Sequence, residues 1–148
     1  MIQRLLPFFT LIALFGGLSV ATPHFLTAMN LASVVRQTAV INIMALGMTM
    51  IIVAGGIDLS VGAILAFSSM LGAMVMQQGG AIWLGILVGV ASGCLCGLLN
   101  GLLTTQLKIN PFIVTLGTMG IFRGAVLSIS GGLPVHTLPK GFAYLSEG

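Results

Sequence analysis

Five long apolar stretches, separated by short polar turns, restrict the folds that this chain could adopt. They cover residues 5–22, 31–54, 60–77, 81–106 and 111–130. A helix needs about 20 predominantly apolar residues to cross a membrane. Charged residues make up only 5% of the chain, against about 25% in soluble domains. We therefore predict an all-α integral membrane protein with about five transmembrane helices. They form one domain over residues 1–148, with residues 131–148 as an exposed loop or tail.

The first stretch has two interpretations. Arg4 precedes the apolar run, and Ser19-Val20-Ala21 resembles the small-x-small cleavage site of a secretory signal peptide. We favour a retained span, because the rest of the chain is itself apolar and needs no cleaved export signal.

The turn between the second and third stretches holds Asp58, one of only two acidic residues in the chain. Gly55 and Gly56 precede it and free the backbone to turn. The side-chain oxygens of Asp58 and Ser60 can accept hydrogen bonds from the first N–H groups of a helix. We therefore predict a helix end, a tight turn and a capped helix start.

A row of glycines runs through the fourth stretch at every fourth position. The row consists of Gly85, Gly89, Gly93, Gly97 and Gly101. Such rows let helix backbones approach closely in lipid, so we predict that the row packs against a neighbouring helix. A smooth wall along a pore is the less favoured alternative.

Two polar side chains interrupt the spans. Asn42 lies deep in the second stretch, where a buried amide usually bonds to a neighbouring helix. It could instead line a solute path. Arg123 lies past the middle of the fifth stretch, where it opposes insertion by about 2.5–3.5 kcal/mol. It either reaches outward to the headgroups or pairs with a polar group inside the bundle.

Two asparagines precede helical stretches. Asn30 is predicted to cap the second helix and Asn110 the fifth. Pro111 follows Asn110, and proline is favoured at the first position of a helix, where its missing N–H costs nothing.

The remaining polar residues give little support to other function classes. The five basic residues form no run, so nucleic-acid binding is not indicated. Lys108 and Lys140 belong to no phosphate-binding loop. Cys94 and Cys96 lie two apart, and such positions on a helix face different directions, which disfavours a metal pair or a disulfide. We predict no catalytic site, no metal and no cofactor on this chain.

The stretch Ala54-Gly55-Gly56-Ile57-Asp58-Leu59-Ser60-Val61-Gly62 resembles the signature of the ribose-type sugar ABC transporter permeases. The resemblance extends over nearly the whole chain. It includes residues 25–31, 45–49, 100–101, 111–118 and 123–124.

The resemblance implies a permease subunit that passes a monosaccharide across the bacterial inner membrane. Family members pair as two permease subunits, receive sugar from a periplasmic binding protein and are driven by a cytoplasmic ATPase. The positive-inside rule alone gives a tie, and the resemblance implies a cytoplasmic N-terminus. The signature turn, with its gating residues Gly55, Gly56, Asp58, Ser60 and Gly62, would then face the cytoplasm or dip into the membrane as a helix break.

Permeases of this family are considerably longer, and the chain resembles only their N-terminal half. We therefore expect a fragment, a truncated product, or a chain completed by another. Two other functions stay open: an inactive remnant or small oligomeric membrane scaffold, and an ion-coupled carrier. The near absence of charge within the spans disfavours the carrier.

Overall fold

A computed structural model describes the backbone of residues 2–136 and 138–147, and their side chains apart from residues 2–4, 143 and 145–147. The side chain of Arg4 and, in the predicted tail, Thr137 and Gly148 lie outside the described residues. The elements in the described part are all helices: α1 Ile2–Ala21, α2 Ala28–Val53, α3 Val61–Gln77, α4 Ile82–Thr105, α5 Pro111–Ser130 and α6 Lys140–Glu147.

Three of these helices, α2, α4 and α5, are long and apolar enough to cross a membrane. The apolar part of α1 and the whole of α3 are shorter, at 17 residues each. At 1.5 Å per residue, α3 is about 26 Å long, slightly less than the hydrocarbon core of about 30 Å. The chain is therefore an all-α membrane protein.

Residues 1–47 and 48–148 form two separate compact units. In the first unit, Thr27 lies directly before α2, and its hydroxyl accepts a hydrogen bond from the Asn30 N–H at 3.4 Å. The Asn30 side chain donates back to the Phe25 carbonyl at 2.7 Å. The predicted cap at Asn30 is therefore wrong, because the Thr27 hydroxyl takes the capping position and α2 begins at Ala28.

The second unit is built around α3, which packs against both α4 and α5. Ala63, Cys96 and Phe122 form its buried core. The rings of Phe67 and Phe122 stack with their centroids 5.6 Å apart. At the start of α5, the Asn110 side chain accepts the Phe112 N–H at 2.9 Å, with Pro111 in the first helical position, so that predicted cap is confirmed.

The glycine row of α4 meets α3 at its N-terminal end. A Cβ atom added at Gly85 would lie 2.5 Å from Cγ of Met76 and 2.7 Å from the carbonyl oxygen of Gly72. A Cβ at Gly89 would lie 3.3 Å from the Ser68 carbonyl oxygen, and one at Gly93 3.6 Å from the Ser68 Cβ. Small residues on both helices therefore allow the two backbones to touch.

A short helix, α6, lies within residues 131–148, where a loop was expected. It follows Pro139, whose carbonyl accepts the Phe142 N–H at 2.8 Å. Gly141 lies against the side chain of Ile82 at the start of α4, since a Cβ there would be 3.1 Å from the Ile82 Cδ1. Contact with α4 supplies the packing surface that the short segment lacks by itself.

Candidate functional site

The turn that carries the most specific motif begins with a glycine-terminated helix end. Gly55 has φ +83°, a left-handed conformation that side chains with a Cβ rarely adopt. Its N–H donates to the Ile52 carbonyl, and the Gly56 N–H donates to the Ile51 carbonyl, both at 2.9 Å. These two bonds make a Schellman motif, which satisfies the last carbonyls of α2 and redirects the chain.

Asp58 and Ser60 form the second part of the turn. Oδ1 of Asp58 accepts the Ser60 N–H at 2.7 Å and the Ser60 hydroxyl at 2.6 Å. Ser60 occupies the N-cap position of α3, but its side chain makes no capping hydrogen bond. The prediction that both oxygens cap first-turn N–H groups is therefore wrong. The physical reason is that Asp58 binds the N-cap residue itself and uses its hydroxyl proton.

Asn100 of α4 connects this turn to the next helix. Its Nδ2 donates to the Ser60 hydroxyl at 2.8 Å. Ser60 is 0% exposed and Asn100 is 6% exposed, so the bond is sealed from solvent. The direction of the bonds follows from chemistry. A carboxylate oxygen only accepts, so the single Ser60 proton goes to Asp58, and Asn100 must present its Nδ2 to Ser60.

This orientation leaves the other end of the amide unused. Among the described residues, Oδ1 of Asn100 is buried without a hydrogen-bond partner. Buried polar atoms in native proteins nearly always have a partner, so this amide oxygen is an exception to the general pattern.

Thr115 of α5 holds the turn from a second side. Its hydroxyl lies 3.2 Å from the Ile57 carbonyl oxygen and 2.8 Å from the Pro111 carbonyl oxygen. Backbone polar groups outside helices need partners from elsewhere in the protein when they are buried. Thr115 and Asp58 therefore supply partners for the irregular backbone between α2 and α3.

The turn contacts α4 well before that helix ends. Asn100 lies five residues before Thr105, the last residue of α4, which corresponds to about 7.5 Å along the helix axis. The turn therefore contacts α4 before the C-terminal end of that helix.

A cavity of about 370 Å³ opens beside the turn, between the end of α2, the last two turns of α4 and the start of α5. Its wall includes the glycines Gly55, Gly56, Gly97 and Gly101. Its polar side chains are Asp58, Asn100, Thr104, Thr105 and Thr115.

The structure separates the predicted site residues into groups. Gly55, Gly56, Asp58 and Ser60 lie together at the turn, and Gly62 follows in the first turn of α3 with nothing within 4 Å of an added Cβ. Gly97 and Gly101 likewise have nothing within 4 Å.

Asn42 and Arg123 are exposed, on α2 and α5 respectively, and neither lines the cavity. Asn100 and Thr115 were not predicted as site residues. Asn100 could have been identified by the same rule that was used for Asn42, because a buried amide in a membrane span usually bonds to a neighbouring helix.

Comparison with known proteins gives consistent results. The family model described as a permease component of branched-chain amino acid transport systems matches residues 30–140. The ribose import permease protein RbsC of Bacillus subtilis is 42% identical over 96% of the chain. The D-allose transport system permease protein AlsC of Escherichia coli is 40% identical over 90% of it. The autoinducer 2 import system permease protein LsrC of an Enterobacter species is 32% identical over 98%.

The chain spans less than half the length of these relatives, from 40% to 44%. No solved structure gives a significant match to the chain.

Proposed function

Because this chain belongs to the family of transport-system permease components and is similar to ribose import permeases, we propose that it is a membrane-spanning part of a permease subunit in an ATP-driven monosaccharide importer. In this proposal it lies in the bacterial inner membrane and pairs with a second permease subunit. A periplasmic binding protein delivers the sugar, and a separate cytoplasmic ATPase supplies the energy. The chain itself carries no cofactor.

The observation that carries the proposal is the buried connection from Asp58 through Ser60 to Asn100, at the motif that most resembles the sugar permeases. A permease makes and breaks no covalent bond, so its residues act by holding and moving helices. Here a break between α2 and α3 is tied to α4 by side chains. Motion imposed on α4 by a partner would therefore reach the turn directly through Asn100.

The test is sugar uptake by cells, measured with the longest reading frame that carries these residues. Asp58→Ala removes the acceptor of both Ser60 bonds, and we expect uptake to fall about tenfold, equivalent to 1.4 kcal/mol. Asp58→Asn is the matched control. An asparagine keeps a carbonyl oxygen at the same place, so the bond from the Ser60 N–H survives and uptake is expected to fall less.

Protein levels in the membrane are measured for each variant. Undiminished uptake by Asp58→Ala at normal levels would contradict a role for the turn. Uptake that persists after ATP depletion would contradict an ATP-driven importer.

A further inference from the structure

The fifth helix carries a charge within its apolar span. Arg123 lies on α5, twelve residues after Pro111 and seven before Ser130, so it is about 10 Å inside the nearer end of the helix. Its side chain is exposed, and among the described residues no hydrogen bond or ion pair reaches its guanidinium group. Charged side chains within membrane spans nearly always face protein and pair with another polar group. Arg123 therefore requires a partner on the exposed side of α5.

Lipid headgroups are a poor partner for geometric reasons. The Cα–Cβ bonds of a helix tilt toward its N-terminus, and at Arg123 this direction leads away from the nearer end of α5 and toward the middle of the bilayer. A side chain that reached the headgroups beyond Ser130 would have to turn back against this tilt. The other end of α5 lies about 18 Å away along the helix axis. We therefore expect the partner of Arg123 to be a protein group within the span.

The two acidic residues of the chain, Asp58 and Glu147, are both badly placed to be that partner. Asp58 follows Ile57, whose carbonyl oxygen lies 3.2 Å from the Thr115 hydroxyl. Thr115 precedes Arg123 by eight residues on α5, which corresponds to about 12 Å along the helix axis. Glu147 lies on α6, outside the spanning helices.

The side of α5 that carries Arg123 can accept a further helix. The buried residues of α5 are Val114, Thr115, Thr118 and Phe122. With 3.6 residues per turn these four share one side of the helix, and Gly120 lies on the opposite side between Arg123 and Gly124. Gly120 and Gly124 are exposed, and a Cβ added to either would have no atom within 4 Å. Glycines four apart let a second backbone approach closely, and the charge of Arg123 determines which group that second helix must carry.

We propose that this face of α5 receives a transmembrane helix of the permease from outside residues 1–148, and that an aspartate or glutamate on that helix pairs with Arg123. A carboxylate matches a guanidinium group in both charge and shape, because it accepts two parallel N–H bonds. The inference rests on the proposed function for the existence of further permease helices. The relatives have room for them, since the chain spans only 40% to 44% of their length.

The test converts the ion pair into a covalent bond. Arg123→Lys keeps the positive charge and supplies a primary amine, and the variant is made in the longest reading frame that carries these residues. Membranes are treated with N,N′-dicyclohexylcarbodiimide, a lipid-soluble reagent. It activates a carboxyl group, the adjacent amine then forms an amide with that group, and the reagent leaves as its urea. Peptide mass spectrometry identifies the residue that is joined to position 123.

We expect a crosslink from position 123 to an aspartate or glutamate outside residues 1–148. Arg123→Gln carries no amine at this position and should give no crosslink. Gly120→Leu, combined with Arg123→Lys, places a bulky side chain on the face and should reduce the crosslink yield several-fold. Gly97→Leu in the same background is the matched control, because an added Cβ at this glycine of α4 also has no atom within 4 Å. Its crosslink yield should equal that of Arg123→Lys alone.

A charge exchange provides a second measurement. Arg123→Glu brings two acidic groups together within the span, and we expect the amount of protein in the membrane to fall about tenfold. Replacing the crosslinked carboxylate by lysine in the same protein should restore that amount. A double variant that stays as low as Arg123→Glu would contradict the pair.

Three crosslinking outcomes would overturn the inference. They are no crosslink at normal protein levels, a crosslink to Asp58 or Glu147 in the same or a second copy of the chain, and a lipid adduct at position 123 in place of a peptide. Absence of the crosslink with ATP-dependent sugar uptake intact would contradict this interface while leaving the proposed function. A crosslink in a protein whose uptake persists after ATP depletion would do the reverse.

Discussion

The glycine row of α4 has two halves that the sequence makes identical and the structure makes different. In the N-terminal half, Gly85 and Gly89 touch the backbone of α3, and an added Cβ at Gly85 would come within 2.7 Å of the Gly72 carbonyl oxygen. In the C-terminal half, a Cβ added at Gly97 or Gly101 would have no atom within 4 Å, and both glycines line the cavity. Glycines with the same four-residue spacing therefore lie in close contact with α3 at one end of α4 and border a cavity at the other end.

The reason for the difference is geometric and polar. Positions four apart advance about 400°, so the row rotates gradually away from α3. At the level where contact would be lost, Asn100 reaches Ser60 and holds the helices together by a side-chain bond. Near its N-terminal end, α4 therefore contacts α3 through its glycines. Near its C-terminal end, it is held by the hydrogen bond from Asn100 to Ser60.

The largest predicted effect distinguishes the two halves directly. Gly85→Ala places a Cβ against Met76 and the Gly72 backbone, and we expect a loss of about 1–3 kcal/mol of unfolding free energy from overpacking. Gly97→Ala is the matched variant on the same helix. With open space there, it should be neutral or gain up to about 1 kcal/mol of helix propensity. Reversible unfolding in SDS, followed by circular dichroism, measures both. Equal shifts for the two variants would remove the distinction between the halves.

A smaller effect is expected at Asn100, which holds the open half. Asn100→Leu removes the bond to Ser60, and interhelical side-chain bonds in membranes contribute about 0.6 kcal/mol on average and up to about 1.7 kcal/mol. Asn42→Leu is the control, because Asn42 is an asparagine exposed on its helix. The same SDS titration should show destabilisation for Asn100→Leu and little change for Asn42→Leu. A greater loss at Asn42 would contradict the assignment.

Thr115→Val is expected to cost still less, no more than about 0.6 kcal/mol of unfolding free energy. It removes the bond to Ile57 across the turn as well as the bond within α5. Thr104→Val removes only a bond within its own helix, to the Asn100 carbonyl. The difference between the two variants in the unfolding titration isolates the contact across the turn, and no difference would show that this contact contributes nothing.

The smallest stability effect, near zero, is predicted for Gly97→Leu. Gly97 lines the cavity, and an added Cβ there would have no atom within 4 Å, so we expect the leucine side chain to extend into the cavity. We nevertheless expect sugar uptake by cells to fall, because the leucine side chain would fill the space beside the turn and restrict its movement. Retained uptake together with retained stability would show that transport does not require the open half of the row.

Local signals predicted much of this fold, and contacts between distant residues were harder to predict. The Asn110-Pro111 start of α5 was predictable because a cap depends on neighbours within three residues. The cap of α2 was predicted wrongly because Thr27 and Asn30 are both suitable N-cap residues. Only the position at which α2 begins distinguishes them.

The site residues depended on information that no local pattern holds. Asn42 and Asn100 are both asparagines in apolar helices, and the sequence pattern does not show which of them bonds to a neighbouring helix. Ser60 and Asn100 are 40 residues apart, and their bond exists only because α3 and α4 pack in one register. That register also decides where the glycine row stops touching α3.

The one-way order of protons from Asn100 through Ser60 to Asp58 has a consequence for how such chains can diverge. An aspartate at position 100 would bring a second acceptor to a hydroxyl whose only proton is already taken. An alanine at position 60 would leave a buried amide N–H facing nothing. Substitutions at positions 60 and 100 are therefore expected to be coupled, so that a change at one position is better tolerated when the other changes with it.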